Sequence, residues 1–375
     1  MKEKIYTLDS LRGICAIFVV LYHSAFVYSS SGKAQFIANS DVFVDFFFIL
    51  SGFVMSMSYE NRIIQGASFL NYSKKRFLRL YPLHIVTLFF WIFFILSKYV
   101  VYEKMGIGST DPTINNNGLS LFLNLLFIHA LKTTEYLSWN TPSWSISVEF
   151  AVYIIFFLYI NVLSRYKKIR VFLAFFIVLL LYLYLITLFP ESILRTYDYG
   201  LERCIAGFFL GYLTFKIYEY KNNNFNLLKL KPIIANVIDV FLLIVGYMLI
   251  SNINGAYSQF CAIIFFSVVI LYLSTFNSGV VSKILNMSFF RYVGMISFSV
   301  YMVHALILAL ASNFYQYILG VDIQLINGSL LYVTKIAPLI NVFLIAIIIG
   351  ISSLTYEHVE NRDWSKVLES KRIYS

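Results

Sequence analysis

Residues 8–23 read Leu-Asp-Ser-Leu-Arg-Gly-Ile-Cys-Ala-Ile-Phe-Val-Val-Leu-Tyr-His, an apolar run with an arginine near its start and a histidine at its end. In a helix, His23 would lie about 16 Å beyond Arg12, at a rise of ~1.5 Å per residue. Ionisable side chains inside a bilayer cost roughly 2.5–3.5 kcal/mol each on insertion scales and usually serve a function. The run therefore predicts a membrane helix with Arg12 at its cytoplasmic mouth and His23 near mid-membrane.

The composition of the whole chain indicates a multispan membrane protein. Of its 375 residues, 59% are hydrophobic and 13% are charged, whereas soluble domains have roughly 45–50% apolar and ~25% charged residues. The mean hydropathy is +0.76. This excludes a soluble enzyme, a disordered chain and a disulfide scaffold. The three cysteines lack the spacing of a disulfide framework or a metal site, so we expect no bound metal.

Ten apolar runs are long enough to cross ~30 Å of hydrocarbon, which takes roughly 20 residues. We therefore predict an all-α polytopic protein with about ten transmembrane helices. The predicted spans are residues 12–29, 41–58, 80–101, 144–163, 171–189, 204–218, 233–250, 257–276, 292–312 and 331–354.

An eleventh run, residues 119–131, is shorter and contains Asn124 and His129. If it does not cross, 22 of the 29 basic residues fall in cytoplasmic segments, as the positive-inside rule requires. This rule also explains the net charge of +10 without a nucleic-acid partner. We therefore predict that both termini are cytoplasmic and that residues 119–131 form a re-entrant or interfacial helix on the outer side. Residues 1–375 would form a single membrane domain with no extra soluble domain.

Several motifs, in this order, give the chain its resemblance to the acyltransferase-3 family of membrane O-acyltransferases. The first is the Leu-Asp-x-Leu-Arg-Gly element of residues 8–13, followed by His23. The others are residues 47–53 after Asp45, residues 75–82, the Trp-Ser-x-Ser-x-Glu element of residues 144–149, Arg203 with Gly207 and Gly211, and residues 296–304.

The resemblance implies that the protein moves an acyl group, most often acetyl, from cytoplasmic acyl-coenzyme A to a hydroxyl across the cytoplasmic membrane. Acetyl-coenzyme A would be a donor substrate, and no cofactor would be permanently bound. The acceptor would be a surface glycan, such as O-antigen of lipopolysaccharide, capsule or exopolysaccharide, or its lipid-linked precursor. The lipid bilayer would surround the protein as a multi-pass enzyme.

Four titratable residues predict a polar cavity that opens to the outside: His23, Asp45, Glu149 and His304. His304 would lie about 20 Å above Arg291 if one helix joined the two. Transfer to a hydroxyl needs a general base, and we assign this role to His23 because a histidine titrates near neutral pH. A carboxylate could orient the imidazole, with Glu149 as the first candidate and Asp45 as the second.

Basic residues near the cytoplasmic face predict the donor site. Arg76 and Arg79 share a helix face at a spacing of three residues, and guanidinium groups suit bidentate phosphate contacts. We therefore expect Arg76, Arg79 and Arg12 to bind the phosphates of coenzyme A. Lys74 and Lys75 are explained by topological anchoring.

The outer side offers candidates for the acceptor site. Trp139 and Trp144 flank residues 140–143, and we expect both indoles to touch the acceptor. Ser147, Arg203 and His304 would contact the acceptor or support the site, although neighbouring residues could satisfy His304 structurally.

Two other functions remain open. The first is a polysaccharide or lipid-linked sugar transporter, in which the same polar residues would line a pathway. The second is a membrane glycosyltransferase with a polyprenyl donor, a class for which acidic motifs on the outer loops are expected.

Overall fold

The computed structural model describes residues 5–108, 110–224, 230–362 and 364. Over these ranges the chain is mainly helical, with a small three-stranded sheet. The α-helices are α1 Tyr6–His23, α2 Gln35–Ala38, α3 Phe43–Ile64, α4 Phe69–Met105, α5 Gly118–Leu125, α6 Trp144–Val162, α7 Lys167–Leu188, α8 Gly200–Asn224, α9 Pro232–Ser251, α10 Ala256–Thr275, α11 Val280–Leu285, α12 Ser288–Met295, α13 Ser297–Asn313 and α14 Ala337–Thr355. Short 3₁₀ turns span Ser40–Val42 and Thr141–Ser143, π-helical turns Phe314–Ile318 and Tyr356–Glu360 extend α13 and α14, and the strands are β1 Phe26–Val27, β2 Gln324–Ile326 and β3 Ser329–Val333.

Eight of the described helices are long and apolar enough to cross a membrane: α3, α4, α6, α7, α9, α10, α13 and α14. This confirms a predominantly helical, multi-pass protein. The two further predicted spans correspond to α1 and α8, which carry charged residues such as Arg12 and Arg203. The total of ten spans and the cytoplasmic location of the termini stay predictions.

Several predicted span boundaries were wrong. Helix α4 has 37 residues and begins at Phe69, eleven residues before the predicted span 80–101, so Lys74 to Arg79 lie on the same helix as that span. Helix α1 ends at His23, where the chain turns into β1, instead of continuing to residue 29. The last predicted span began at residue 331, but residues 329–333 form β3 and α14 starts at Ala337.

The sequence interpretation predicted no strands, and two of the three strands overlap the predicted spans 12–29 and 331–354. Strands β2 and β3 form an antiparallel hairpin, and β1 pairs with β3 in parallel, Phe26 opposite Tyr332. Asn327 and Gly328 join β2 to β3 with φ angles of 50° and 75°. Two positive φ angles in a two-residue loop match the right-handed twist of the strands, and Asn-Gly is the sequence that tolerates them best.

Helix α5 has eight residues, so it is about 12 Å long and far too short to span a bilayer. Asn117 caps its first turn by accepting a hydrogen bond from the Ser120 backbone N–H at 3.0 Å. Asn124 is fully buried and donates to Ser138 Oγ at 3.1 Å. The re-entrant or interfacial placement of residues 119–131 stays a prediction.

Close glycine contacts hold the centre of the bundle together. A β-carbon on Gly52 of α3 would overlap the Phe208 carbonyl of α8, and one on Gly211 of α8 would overlap the Ile49 carbonyl of α3. Small residues let membrane helices approach closely, so van der Waals packing can hold them together. This contact fixes α3 and α8, which carry Asp45 and Arg203, against each other.

Candidate active site

Two histidines that are far apart in the sequence meet where the end of α1 lies beside the middle of α13. The rings of His23 and His304 have centroids 5.2 Å apart and are tilted by 39°. The structure thus brings together two of the four titratable residues that the sequence assigned to one cavity. The predicted distance of about 20 Å between Arg291 and His304 was wrong because it assumed one continuous helix. Arg291 lies on α12, which ends at Met295, and His304 lies on α13, which begins at Ser297. Measured from Ser297, His304 lies about 10 Å along its helix.

His304 is held in one orientation. Its side chain is 1% exposed, and its Nδ1 lies 2.6 Å from the backbone oxygen of Tyr301. Because a carbonyl can only accept, Nδ1 carries a proton and donates it. The other ring nitrogen, Nε2, has no hydrogen-bond partner among the described residues. His304 therefore presents a buried ring nitrogen that is free to interact with a neighbouring group.

His23 lies at the wall of an outer cavity of about 660 Å³. The floor is formed by the end of α1 and the segment that follows it, and one wall is formed by the β2–β3 hairpin. Polar groups line it: Tyr22, His23, Ser24, Lys33, Gln35, Asn327 and Ser329. His23 is exposed, whereas His304 is buried. Of the two histidines, His23 is thus the one that a molecule in this cavity can reach.

A second cavity, of about 340 Å³, contains the three arginines that the sequence assigned to the donor. Arg12 comes from α1, and Arg76 and Arg79 come from one face of α4, as their spacing predicted. Glu149, Tyr153 and Tyr301 also line this inner cavity.

Each arginine has a different set of partners. Arg12 donates to Ser297 Oγ at 2.8 Å and to the Gly294 carbonyl at 3.0 Å, and lies 3.5 Å from Asp9. Arg76 donates to the Tyr59 hydroxyl at 2.8 Å and stacks on the same ring, with 4.8 Å to its centroid. No carboxylate of the described residues forms an ion pair with Arg76, so its charge is the least compensated of the three.

Glu149 belongs to the inner cavity. Its Oε1 accepts a hydrogen bond from the Tyr153 hydroxyl at 2.7 Å, and that hydroxyl lies 3.0 Å from Ser51 Oγ. The charges of Arg12 and Arg76 act on this carboxylate. The expected contact between Glu149 and His23 is absent, because the two residues line different cavities.

Asp45, on α3, pairs with an arginine of α8. It is fully buried and forms an ion pair with Arg203, with Oδ2 2.7 Å from Nη2 and Oδ1 3.1 Å from Nε. Arg203 also donates to the Arg195 carbonyl at 2.9 Å and lies 5.6 Å from the ring of Trp144. Asp45 was the second candidate for the carboxylate that orients His23. Its carboxylate oxygens contact Arg203 instead. Arg203 thus compensates the buried charge of Asp45, and its role at the site stays a prediction.

Only a thin layer of side chains separates the inner cavity from the histidine pair. Tyr301 lines the inner cavity, yet its ring centroid is 5.7 Å from that of His304. Its hydroxyl accepts from Ser145 Oγ at 2.9 Å, and Phe47 packs edge-on against it at 5.9 Å. A group that enters from the arginine side therefore has to pass Tyr301 and Phe47 to reach the histidines.

The two tryptophans assigned to the acceptor are packed in the protein interior. Trp139 is 6% exposed and donates from Nε1 to Ser120 Oγ at 3.0 Å, and Trp144 is 7% exposed and packs on Phe48. Ser147 donates to the Phe127 carbonyl at 3.0 Å. These contacts are structural, so a direct contact of these residues with an acceptor stays a prediction.

The sequence interpretation missed a second histidine pair. His84 and His129 stack with centroids 5.7 Å apart and an interplanar angle of 5°. His84 lies 3.0 Å from the Asn124 carbonyl, and His129 lies 2.9 Å from Ser143 Oγ. Both rings are buried, and they join α4, α5 and the segment before α6. An ionisable residue in the apolar run of α4 was the available signal for His84.

Among the described residues, no group of three or more His, Cys, Asp or Glu side chains could hold a metal ion.

The helical bundle thus places an accessible histidine at an outer cavity and three arginines at an inner one. The sequence matches the acyltransferase-3 family, described as an acyltransferase domain, over residues 5–357. The chain belongs to this family and is a membrane acyltransferase.

Two relatives are similar to parts of the chain. "Protein 2 in picA locus" of Rhizobium radiobacter is 30% identical over 156 residues, which are 40% of this chain and 79% of that protein. "Acyltransferase MdmB" of Streptomyces mycarofaciens is 28% identical over 169 residues, which are 42% of this chain and 40% of that protein. No protein of solved structure matches the chain significantly.

Proposed function

We propose that the protein transfers an acetyl group from cytoplasmic acetyl-coenzyme A to a hydroxyl of an extracytoplasmic surface glycan, at the cytoplasmic membrane. The observation that carries this proposal is the arrangement around Tyr301. Tyr301 lines the arginine-containing cavity, and its ring lies 5.7 Å from that of His304. The His304 ring in turn lies 5.2 Å from that of His23, which lines the outer cavity.

The inner cavity suits a donor with several phosphates. Guanidinium groups form charge-assisted, often bidentate contacts with phosphate oxygens. Arg76 is the principal contact in this proposal because, unlike Arg12 and Arg79, it forms no ion pair with a carboxylate of the described residues. The apolar residues deeper in the cavity, such as Phe47 and Leu50, would contact the pantetheine arm. The thioester would then pass Tyr301 to the histidine pair, while the nucleotide part of the donor stays on the cytoplasmic side.

The acceptor hydroxyl would enter from the outer cavity. His23 accepts its proton as the oxygen attacks the thioester carbon, so a carbon–oxygen bond forms and a carbon–sulfur bond breaks. The proton passes from His23 to the departing thiolate, which leaves as coenzyme A. His23 is the base because it lines the outer cavity, whereas His304 is 1% exposed. His304 packs against the His23 ring and would fix its position.

The relatives support the class of reaction. The protein of Streptomyces mycarofaciens is named as an acyltransferase, and the family description carries the same activity across most of this chain. The acetyl group, coenzyme A and the glycan are drawn from the resemblance and from the two cavities.

Proteoliposomes test the proposal. Acetyl-coenzyme A with a labelled acetyl group is placed on the cytoplasmic side, and cell-surface glycan is placed on the other. We expect label in an alkali-labile ester of the glycan, with release of one coenzyme A for each ester formed. Movement of glycan without consumption of acetyl-coenzyme A would identify a transporter. Glycan extension from a polyprenyl-linked sugar would identify a glycosyltransferase.

A further inference from the structure

Tyr301 connects the inner cavity to the histidine pair. Its side chain lines the inner cavity, and its ring centroid lies 5.7 Å from that of His304. The His304 ring lies 5.2 Å from that of His23. Tyr301 is 8% exposed, so its ring is surrounded by protein. An acyl group that is brought from the inner cavity to His23 therefore has to fit against this ring.

Tyr301 is held at three points. Its hydroxyl accepts a hydrogen bond from Ser145 Oγ at 2.9 Å, and its backbone carbonyl accepts one from His304 Nδ1 at 2.6 Å. Phe47 of α3 packs edge-on against the ring, with 5.9 Å between the centroids. Side chains in a packed interior occupy fixed rotamers and leave few voids larger than a water molecule. The ring is thus a fixed wall, because moving it aside would break its contacts with Ser145 and Phe47.

The two serines of the Trp-Ser-x-Ser-x-Glu element, residues 144–149, have different partners. Ser145, in the first turn of α6, is 6% exposed and lines the inner cavity, as Tyr301 does. Ser147 donates to the Phe127 carbonyl at 3.0 Å and does not line that cavity. Ser145 is therefore a positioning residue for the Tyr301 ring, whereas Ser147 is not.

A fixed ring beside the reacting group limits the length of that group. Forcing extra methylene groups into a packed site pushes side chains off their rotamers and shifts the backbone. One methylene group more or less in an apolar pocket changes the specificity of an enzyme by roughly 10- to 200-fold. An acyl chain longer than the space beside Tyr301 is thus excluded by size, without any repulsive charge.

We propose that Tyr301, positioned by Ser145, determines which acyl groups are transferred and restricts them to short chains of about the size of acetyl. This inference rests on the proposed function, since it assigns the acyl specificity of that reaction to one side chain.

A series of donors tests the inference on the wild-type protein. Full-length protein in proteoliposomes is given acetyl-, butyryl- or hexanoyl-coenzyme A on the cytoplasmic side, and ester formation on the glycan is measured. We expect kcat/KM to fall by at least about tenfold from acetyl to butyryl, and further for hexanoyl. Transfer of the longer groups as fast as acetyl would overturn the inference and leave the proposed function intact. Absence of transfer from all three donors would refute the proposed function itself.

Two buried tyrosines of the inner cavity provide a matched pair of variants. Tyr301→Leu removes the hydroxyl and the outer part of the ring, so the ratio of butyryl to acetyl transfer should rise about tenfold or more. Tyr153→Leu makes the same change where the hydroxyl bonds to Glu149 and the ring packs on Phe208, so the ratio should stay at the wild-type value. A ratio does not depend on the fraction of folded protein. A folded Tyr301→Leu that keeps the wild-type ratio, or that transfers no acyl group, would contradict the inference.

Milder variants test the same wall if Tyr301→Leu does not fold. Phe47→Leu opens space beside the ring while Tyr301 keeps its hydrogen bonds, and it should raise the butyryl-to-acetyl ratio by a smaller factor. Ser145→Ala frees the ring and should also raise the ratio, whereas Ser147→Ala, two residues along the same helix, should not. Wild-type ratios in both Phe47→Leu and Ser145→Ala would overturn the inference.

Discussion

Arg79 forms an ion pair with Glu360, with Nη2 2.7 Å from Oε1, and Ser299 donates to the other oxygen of Glu360, also at 2.7 Å. This contact joins the arginine face of α4 to α13 and to the end of α14. Because Glu360 is buried, part of the positive charge of Arg79 is already compensated. Two arginines on one helix face therefore differ in the charge that they can offer to a phosphate.

We predict that Arg76→Ala raises the dissociation constant of coenzyme A more than Arg79→Ala does. Loss of one charge-assisted contact is worth roughly 1.5–3 kcal/mol, or about 10- to 150-fold in affinity. Calorimetric titration of the purified protein measures this. Lys75→Ala is the control, because this side chain does not line the inner cavity, and equal losses in all three variants would indicate topological anchoring instead.

We predict that Arg79→Ala also lowers the thermal stability of the folded protein. It leaves Glu360 buried without its ion-pair partner, and a buried unpaired charge is costly. A thermal shift assay in detergent should show a larger drop in Tm for Arg79→Ala than for Arg79→Ala combined with Glu360→Gln. A double variant as unstable as the single one would mean that the unpaired charge of Glu360 is not the cause of the loss.

We predict that reporters fused after Lys168 and at the C-terminus are cytoplasmic and that a reporter at Thr134 is external. The physical reason is the basic segment of residues 165–170, which the positive-inside rule retains in the cytoplasm. Inverted signals at Lys168 and Thr134 would mean that residues 119–131 cross the membrane.

The sequence was sufficient to predict the class of fold and much of the inner cavity. Hydropathy marks each long helix because a spanning helix has to be apolar over its length. The helical spacing of Arg76 and Arg79 does place them in one cavity, together with Arg12. The depth of His23 on its helix follows from a fixed rise per residue, so it could be estimated from one motif.

Pairings between distant elements could not be derived in this way. The sequence contains His23, Asp45 and Glu149, but it does not tell which of them meet, since that depends on how the helices rotate and pack. Arg203 takes Asp45 because α8 packs on α3 through Gly52 and Gly211. Asn327-Gly328 is a sequence signal for the turn of the β2–β3 hairpin. It was missed because the apolar run that follows it was interpreted as the start of a spanning helix.

We predict that Glu149→Gln leaves the ionisation of His23 in the pH–rate profile in place. Glu149 lies in the inner cavity and accepts from Tyr153, so its neutralisation changes the charge around the donor and not the base. The pH dependence of kcat/KM, measured on both proteins, should coincide after scaling. A displaced ionisation in the variant would mean that Glu149 acts on His23 during turnover.

We predict that His23→Ala lowers transfer to the glycan by ~10²–10⁴-fold, the contribution that a general base commonly makes. Binding of coenzyme A should persist, since Arg12 lies about 16 Å from His23 along α1 and Arg76 lines the inner cavity, which His23 does not line. Single-turnover transfer and calorimetry on the same sample separate the two effects. His304→Ala is the comparison: because His304 packs on His23 but is buried, its loss should cost less and should keep the ionisation of the base. Near-normal turnover of His23→Ala, together with inactive His304→Ala, would move the catalytic role to His304.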